Sequence, residues 1–266
     1  MTDIPTCVQL EKKDGVAIVT MNDPATRNAN STPHMIEALV RAIEDINLDP
    51  AIGAVVFTGA GPAFSSGGEV KLMESFQQMT PMEVRSYYVH HGIQRLTRAM
   101  LSIEPPAIAA VNGWAFGSGF GMALMCDLRI AADDAVFTMN FAKLGILPGD
   151  GGALFLLRAL GHQQAAKIMF GAEPVPAQQA LELGLVLEVV PPAQLMEAAL
   201  KLARGIAANP THNLRLMKRL LRHAHTAELE AFLDVTVSMQ ALSHHTPEHA
   251  QALQALRDKL ARKAPR

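Results

Sequence analysis

The chain is short of cysteine and aromatic residues, has no run of one charge sign and no long uncharged stretch that is apolar throughout, and each shortage removes a class of protein. Its two cysteines, Cys7 and Cys126, stand far apart, and Cys126 sits in an apolar helical run. That pattern fits buried free thiols in a reducing compartment better than a disulfide framework. Lys and Arg number 23 against 25 Asp and Glu, so the basic surplus of a nucleic-acid binder is missing. No segment approaches the roughly 18 uncharged apolar residues of a membrane span. The opening MTDIPTCVQLEKKDG lacks a basic region followed by an apolar stretch, so no leader is expected. Histidines 223, 225, 244, 245 and 249 follow neither H-E-x-x-H nor a Cys–His spacing, and no metal site is expected. These exclusions point to a cytoplasmic protein with no nucleic-acid and no membrane partner.

What is present is an ordinary globular composition, 49% hydrophobic over 266 residues, enough for one large domain or one domain with an appendage. VAIVTMN (16–22), AIGAVVFTG (51–59) and PAIAAV (106–111) read as β-branched or small apolar strands. Helical periodicity runs over 31–47 behind a Ser-Thr-Pro start and again over 82–101. DLRIAADDAVFT (127–138) reads as a strand pair turning at Asp133 and Asp134. Alternating strands and helices predict an α/β fold. AVVFTGAGPAFSSGG and AIAAVNGWAFGSGF share one order: strand, glycine turn, Ala-Phe, small residues. Such an echo predicts stacked repeats that bury each unit's apolar face on the next. Beyond about residue 192 the pattern is helical, broken by Pro210 and Pro247. The expected division is therefore a core over 1–192 and a helical region over 193–266.

The stretch NGWAFGSGFGMALMCDL holds glycines at 113, 117, 119 and 121 and no Lys or Arg from Gly113 to Cys126. Glycines after a strand let backbone N–H groups approach a ligand without Cβ obstruction, and the helix that follows adds unpaired N–H groups and its positive end. Without a cation, such a place suits a transient oxyanion on a carbonyl better than a permanent phosphate. The second glycine turn, Ser65-Ser66-Gly67-Gly68, could supply the other donor. A dinucleotide fingerprint is a poor fit, because the spacing here is G-x-G-x-G. A serine-hydrolase elbow is poorer, because Ser65 lacks the glycine two residues before it.

AFSSGGEVKLM (63–73), PAIAAVNGWAFGSGFGMALMCDLRIAADDAVF (106–137) and LGILPGDGGALFLLRALG (144–161) together resemble the crotonase superfamily, the enoyl-CoA hydratases and isomerases. The resemblance covers nearly the whole chain in order. It implies a spiral of ββα units, a C-terminal helical region that builds homotrimers or dimers of trimers, and acyl-CoA thioester substrates. Coenzyme A would be part of the substrate, with no separate cofactor. It also implies that the N–H groups of Gly68 and Ser118 hold the thioester oxygen while an enolate forms.

The chain departs from the hydratase pattern at the two positions that usually carry glutamate, which here are Gly121 and Phe141. Hydration needs one group to activate water and one to move a proton, so the two-glutamate mechanism does not carry over. Asp150, in PGDGG, is the remaining candidate acid/base, and the competing reading is a cap on the helix ALFLLRAL. One base suits double-bond migration. A hydratase using Asp150 with a second acid, Glu69 or Glu74, stays open, as does a catalytically silent acyl-CoA binder. Glu69 is equally readable as an acid favoured at a helix start. Met73, Phe76, Met79 and Met82 could line an adaptable acyl pocket or simply pack. Tyr87, Tyr88, His90 and His91 offer polar groups there, although histidines on helices are more often solvated. Arg27, Lys71 and Lys259 are candidates for the phosphates of coenzyme A.

Overall fold

A computed structural model describes residues 7–263, with side chains to residue 260; the first six residues, read above for a leader, and the last three lie outside the described residues. The elements run β1 (Val8–Lys13), β2 (Val16–Met21), α1 (Pro33–Leu48), β3 (Ala54–Gly59), β4 (Ala63–Ser65), α2 (Val70–Phe76), α3 (Pro81–His90), α4 (Ile93–Ser102), β5 (Ala107–Val111), β6 (Trp114–Phe116), α5 (Ser118–Met125), β7 (Leu128–Ala132) and β8 (Val136–Thr138). There follow α6 (Gly152–Gly171), β9 (Val175–Pro176), α7 (Ala177–Glu182), β10 (Glu188–Val190), α8 (Leu195–Ala207), α9 (Thr211–Ala224), α10 (Leu229–Ser243) and α11 (Pro247–Lys263). Helix α6 is broken at Gly161, which leaves helical geometry.

The predicted spiral of ββα units is present. One sheet has the order β1-β2-β3-β5-β7-β10 and the other β4-β6-β8-β9, so each repeat lays one strand in each sheet. The two echoed sequences are neighbours in both: Val55–Phe57 pairs in parallel with Ala107–Ala109, and Ala63–Ser65 with Trp114–Ala115. The segment 127–138 corrects the expectation of a paired hairpin. β7 belongs to the first sheet and β8 to the second, because the turn at Asp133 and Asp134 is the third copy of the crossing that β3–β4 and β5–β6 make. The predicted helix over 82–101 is two helices, divided at His91 and Gly92. β1 was not expected; it pairs antiparallel with β2 through Asp14-Gly15, both at positive φ, the geometry that favours Asp-Gly in two-residue hairpins.

The strands of the first sheet are continuous apolar runs because both faces are covered. Val55 and Phe57 join Val19, Met21 and the α1 residues Met35, Ile36 and Leu39 on one face. Ala54, Val56, Ile108, Ala110 and Ile130 pack with Leu195, Ala199 and Ala203 on the other. These last three are spaced i, i+4, i+8, the inward stripe of α8. That packing moves the expected division after residue 192. The chain separates into a unit ending at Ala208 and a second beginning at Asn209, since α8 closes the sheet rather than opening the helical region. Within the second unit, α10 leaves Leu229, Leu233 and Val237 exposed.

If α8 is part of the sheet core, Leu195→Ala lowers the unfolding free energy by roughly 2–5 kcal/mol, measured by chemical denaturation followed by circular dichroism; a loss below about 0.5 kcal/mol, the surface range, would return α8 to the helical region.

Candidate active site

The two glycine turns meet. A Cβ on Gly67, which has φ +80, would strike the carbonyl of Phe116 and come within 3.0 Å of the Ser118 nitrogen; one on Gly119 would strike the carbonyl of Ser65. The backbones of the β4–α2 turn and the start of α5 are thus in direct contact, which only glycine permits. The first turn is clamped from the 26–28 loop. Ser65 Oγ donates to the Asn28 carbonyl at 2.7 Å, the Ser66 N–H donates to the Arg27 carbonyl at 2.9 Å, and Ser66 Oγ donates to the Thr26 carbonyl at 2.8 Å. The second turn is held by Asn30, which is fully buried. Ser118 Oγ donates to Asn30 Oδ1 at 2.6 Å, and Asn30 Nδ2 donates back to the Ser118 carbonyl at 3.0 Å.

Gly68 and Ser118 both line one inner cleft, and among the described residues the N–H of neither has an acceptor. The neighbouring N–H groups are occupied: that of Gly67 bonds Ser65 Oγ and that of Glu69 bonds Ser31 Oγ. Two N–H groups without an acceptor, from two rigid turns, are the kind of donor pair that an oxyanion site needs. The remaining wall is mostly apolar, with Leu72, Met73, Phe76, Ile93, Phe141 and Ile146 among its residues.

Asp150 lines the same cleft and is 2% exposed. Its two oxygens are used differently. Oδ1 accepts the Gly152 N–H at 3.0 Å at the start of α6, whereas the buried Oδ2 has no hydrogen-bond partner among the described residues. The helix-start reading and the free-acid reading of Asp150 therefore each describe one oxygen. Burial raises its pKa from the ordinary carboxylate value, against the opposing pull of the Gly152 N–H and its own backbone N–H. The loop is fixed from α4: Gln94 Nε2 donates to the Gly149 carbonyl at 3.2 Å and Thr97 Oγ1 to the Asp150 carbonyl at 2.9 Å. A Cβ on Gly121 would run into Asp150 Oδ2. The carboxylate of Asp150 thus takes the room that a side chain at 121 needs, and any glutamate there would displace it. Phe141, the other departed position, presents its ring to the cleft near Gly117.

The structure brings together Gly68, Ser118, Asp150, Met73, Phe76, Tyr87 and Tyr88 in the inner cleft. Arg27, Glu69 and Lys71 line an outer cleft that shares Ser66, Gly68, Met73, Asn140 and Leu144 with it. The Arg27 guanidinium lies 4.6 Å from the Trp114 ring centre, a cation–π contact. Glu69 precedes α2 and makes no side-chain cap bond. Glu74, Met79, Met82, His90 and His91 line neither cleft. Lys259 belongs to α11 of the second unit. Among the described residues neither Cys7 nor Cys126 forms a disulfide, and no three potential metal ligands gather. Sequence reasoning missed Asn28, Asn30, Gln94 and Thr97. Polar side chains flanking glycine turns are a weak signal, and nothing local says which carbonyl each one reaches.

The model of the enoyl-CoA hydratase/isomerase family matches residues 11–263. Among curated proteins, the hydroxycinnamoyl-CoA hydratase-lyase of Pseudomonas fluorescens is 35% identical over 79% of this chain and 76% of its own length. The short-chain-enoyl-CoA hydratase of Clostridium acetobutylicum is 35% identical over 85% of each. A solved enoyl-CoA hydratase from Bacillus anthracis superposes with a TM-score of 0.88 at 29% identity, covering 96% of this chain and 97% of that one.

Two measurements check the Asp150 geometry without reference to turnover. In a double-mutant cycle, Gly121→Ala destabilises the chain, and Asp150→Gly recovers part of that loss, with a coupling of about 1–3 kcal/mol; strict additivity would mean that the two do not collide. For pH, a carboxyl whose folded pKa is raised stabilises the fold fully below the unfolded value, and that contribution is lost as pH rises through the folded one. Asp150→Asn, which cannot ionise, is therefore expected to melt higher than wild type at neutral pH. The gap should shrink as pH falls toward the ordinary carboxylate range.

Proposed function

The chain belongs to the enoyl-CoA hydratase/isomerase family and acts on acyl-CoA, and from that premise we propose that it moves a double bond within an enoyl-CoA thioester. Asp150 Oδ2, as carboxylate, removes a proton from a carbon activated by the thioester. The electron pair passes through the conjugated system to the thioester oxygen, which the N–H groups of Gly68 and Ser118 receive. Asp150 Oδ2–H then returns the proton at the other end of the dienolate, and the double bond has shifted with no net change in atoms. A buried base with a raised pKa holds its proton better than a solvated one, which narrows the gap to a carbon acid.

The observation that carries this reading is a buried carboxyl oxygen without a partner among the described residues, on a residue lining the cleft that also holds two unpaired N–H groups. Leaving a carboxyl oxygen buried and unpaired costs about 1–3 kcal/mol or more, a cost that a silent binder has no reason to carry. A hydratase reading retains one supporting observation, that Glu69 lines the outer cleft; Glu74, exposed and outside both clefts, does not support it. In this reading Arg27 and Lys71, which line the outer cleft, would meet the phosphates of coenzyme A.

Incubating 2-enoyl- and 3-enoyl-CoA in heavy water and following mass separates the readings. Double-bond migration with deuterium uptake is expected from wild type, falling about 10²–10⁴-fold in Asp150→Asn, the range typical of a general acid/base. Turnover intact in Asp150→Asn would remove the assignment; addition of water would select the hydratase.

A further inference from the structure

Tyr87, which lines the inner cleft, carries a second stranded atom. Its phenol oxygen is buried and has no hydrogen-bond partner among the described residues. The ring is held in place, since Phe76 packs on it with centroids 5.3 Å apart and planes tilted by 58°, and Gly92 lies so close that a Cβ there would come within 3.0 Å of it. Phe76 also packs against Tyr88 at 5.4 Å. The hydroxyl is therefore fixed in position, and burial keeps it protonated. Leu72, Met73, Phe76 and Ile93, on the same wall, offer it nothing.

The cost of this stripped, unpaired hydroxyl is already carried by the protein, and a plain hydrocarbon acyl chain in the cleft would leave it unrelieved. An oxygen on the acyl group would pair with it: a keto or ether oxygen by accepting, a hydroxyl by accepting or donating. We propose that the acyl group of the substrate carries a hydrogen-bonding oxygen, and that Tyr87 is the residue that selects for it. The proposal rests on the reading of this cleft as the acyl-CoA site.

The test titrates matched pairs of acyl-CoAs that lack a reactive double bond into the full chain and into its Tyr87→Phe form by calorimetry. Each pair is a plain acyl group and its counterpart bearing a hydroxyl or keto oxygen, placed at successive carbons from the fourth outward, with phenylacetyl-CoA against 4-hydroxyphenylacetyl-CoA as the aromatic pair. At one oxygen position the oxygenated member is expected to bind wild type about tenfold or more tightly, and Tyr87→Phe should bring that ratio close to one. Equal binding within every pair, or a preference that survives Tyr87→Phe, overturns the proposal. Heavy-water exchange on the same preparation keeps the two readings apart. Exchange without an oxygen preference removes only the Tyr87 proposal, a preference without exchange removes only the isomerase reading, and no acyl-CoA binding removes both.

Discussion

Backbone contact between the turn at Gly67 and the first residues of α5 is the constraint on which the rest of the cleft depends. A Cβ at Gly67 or at Gly119 would force the two turns apart, and with them the N–H groups of Gly68 and Ser118, which come from different repeats of the spiral. Parallel pairing of β4 with β6 brings the two turns side by side; it does not fix their spacing to the precision that two donors on one oxygen require. The polar side chains supply that. Asn28 gathers the carbonyls of Ala60 and Ala63 with Nδ2 and accepts the Asp23 N–H with Oδ1 at 2.8 Å, while Asn30 grips Ser118 at both its hydroxyl and its carbonyl. Both asparagines are fully buried, where an unpaired amide is costly, so each must keep its partners and the turns keep their positions.

Asp150 works on the opposite principle. Its environment satisfies one oxygen and, among the described residues, leaves the other buried without a partner, so the folded state disfavours the charged form. Packing against α5 makes this possible: at Gly121 the helix presents bare backbone, and the carboxylate lies where a side chain would otherwise stand. In this chain the absence of a glutamate at 121 and the presence of an aspartate at 150 are one structural fact. It sets a destabilised group in the same cleft as two rigid turns with unpaired N–H groups.

Much of the architecture was legible because it follows from local pattern. Buried parallel strands are unbroken apolar runs, the helix over 33–48 has a clear periodicity, and the echo between the two glycine-rich segments announced stacked repeats. The errors fell where a pattern has two three-dimensional readings. Asp133-Asp134 marks a turn, and a turn can fold a hairpin or carry the chain into a second sheet. α8 has the same amphipathic appearance as the helices after it, yet its stripe of Leu195, Ala199 and Ala203 closes the sheet, which no residue of α8 announces.

By itself the sequence determined the repeat, the two glycine turns and the presence of Gly121 and Phe141, because residue identity is local information. Only the tertiary structure decided how Asp150 divides its two oxygens, why Gly121 must be glycine, and that Tyr87, a residue lining the same cleft, holds a stranded hydroxyl. Each of these depends on which atoms from distant parts of the chain share a small volume that excludes water, and hydrogen-bond satisfaction inside such a volume is a property of the packed assembly.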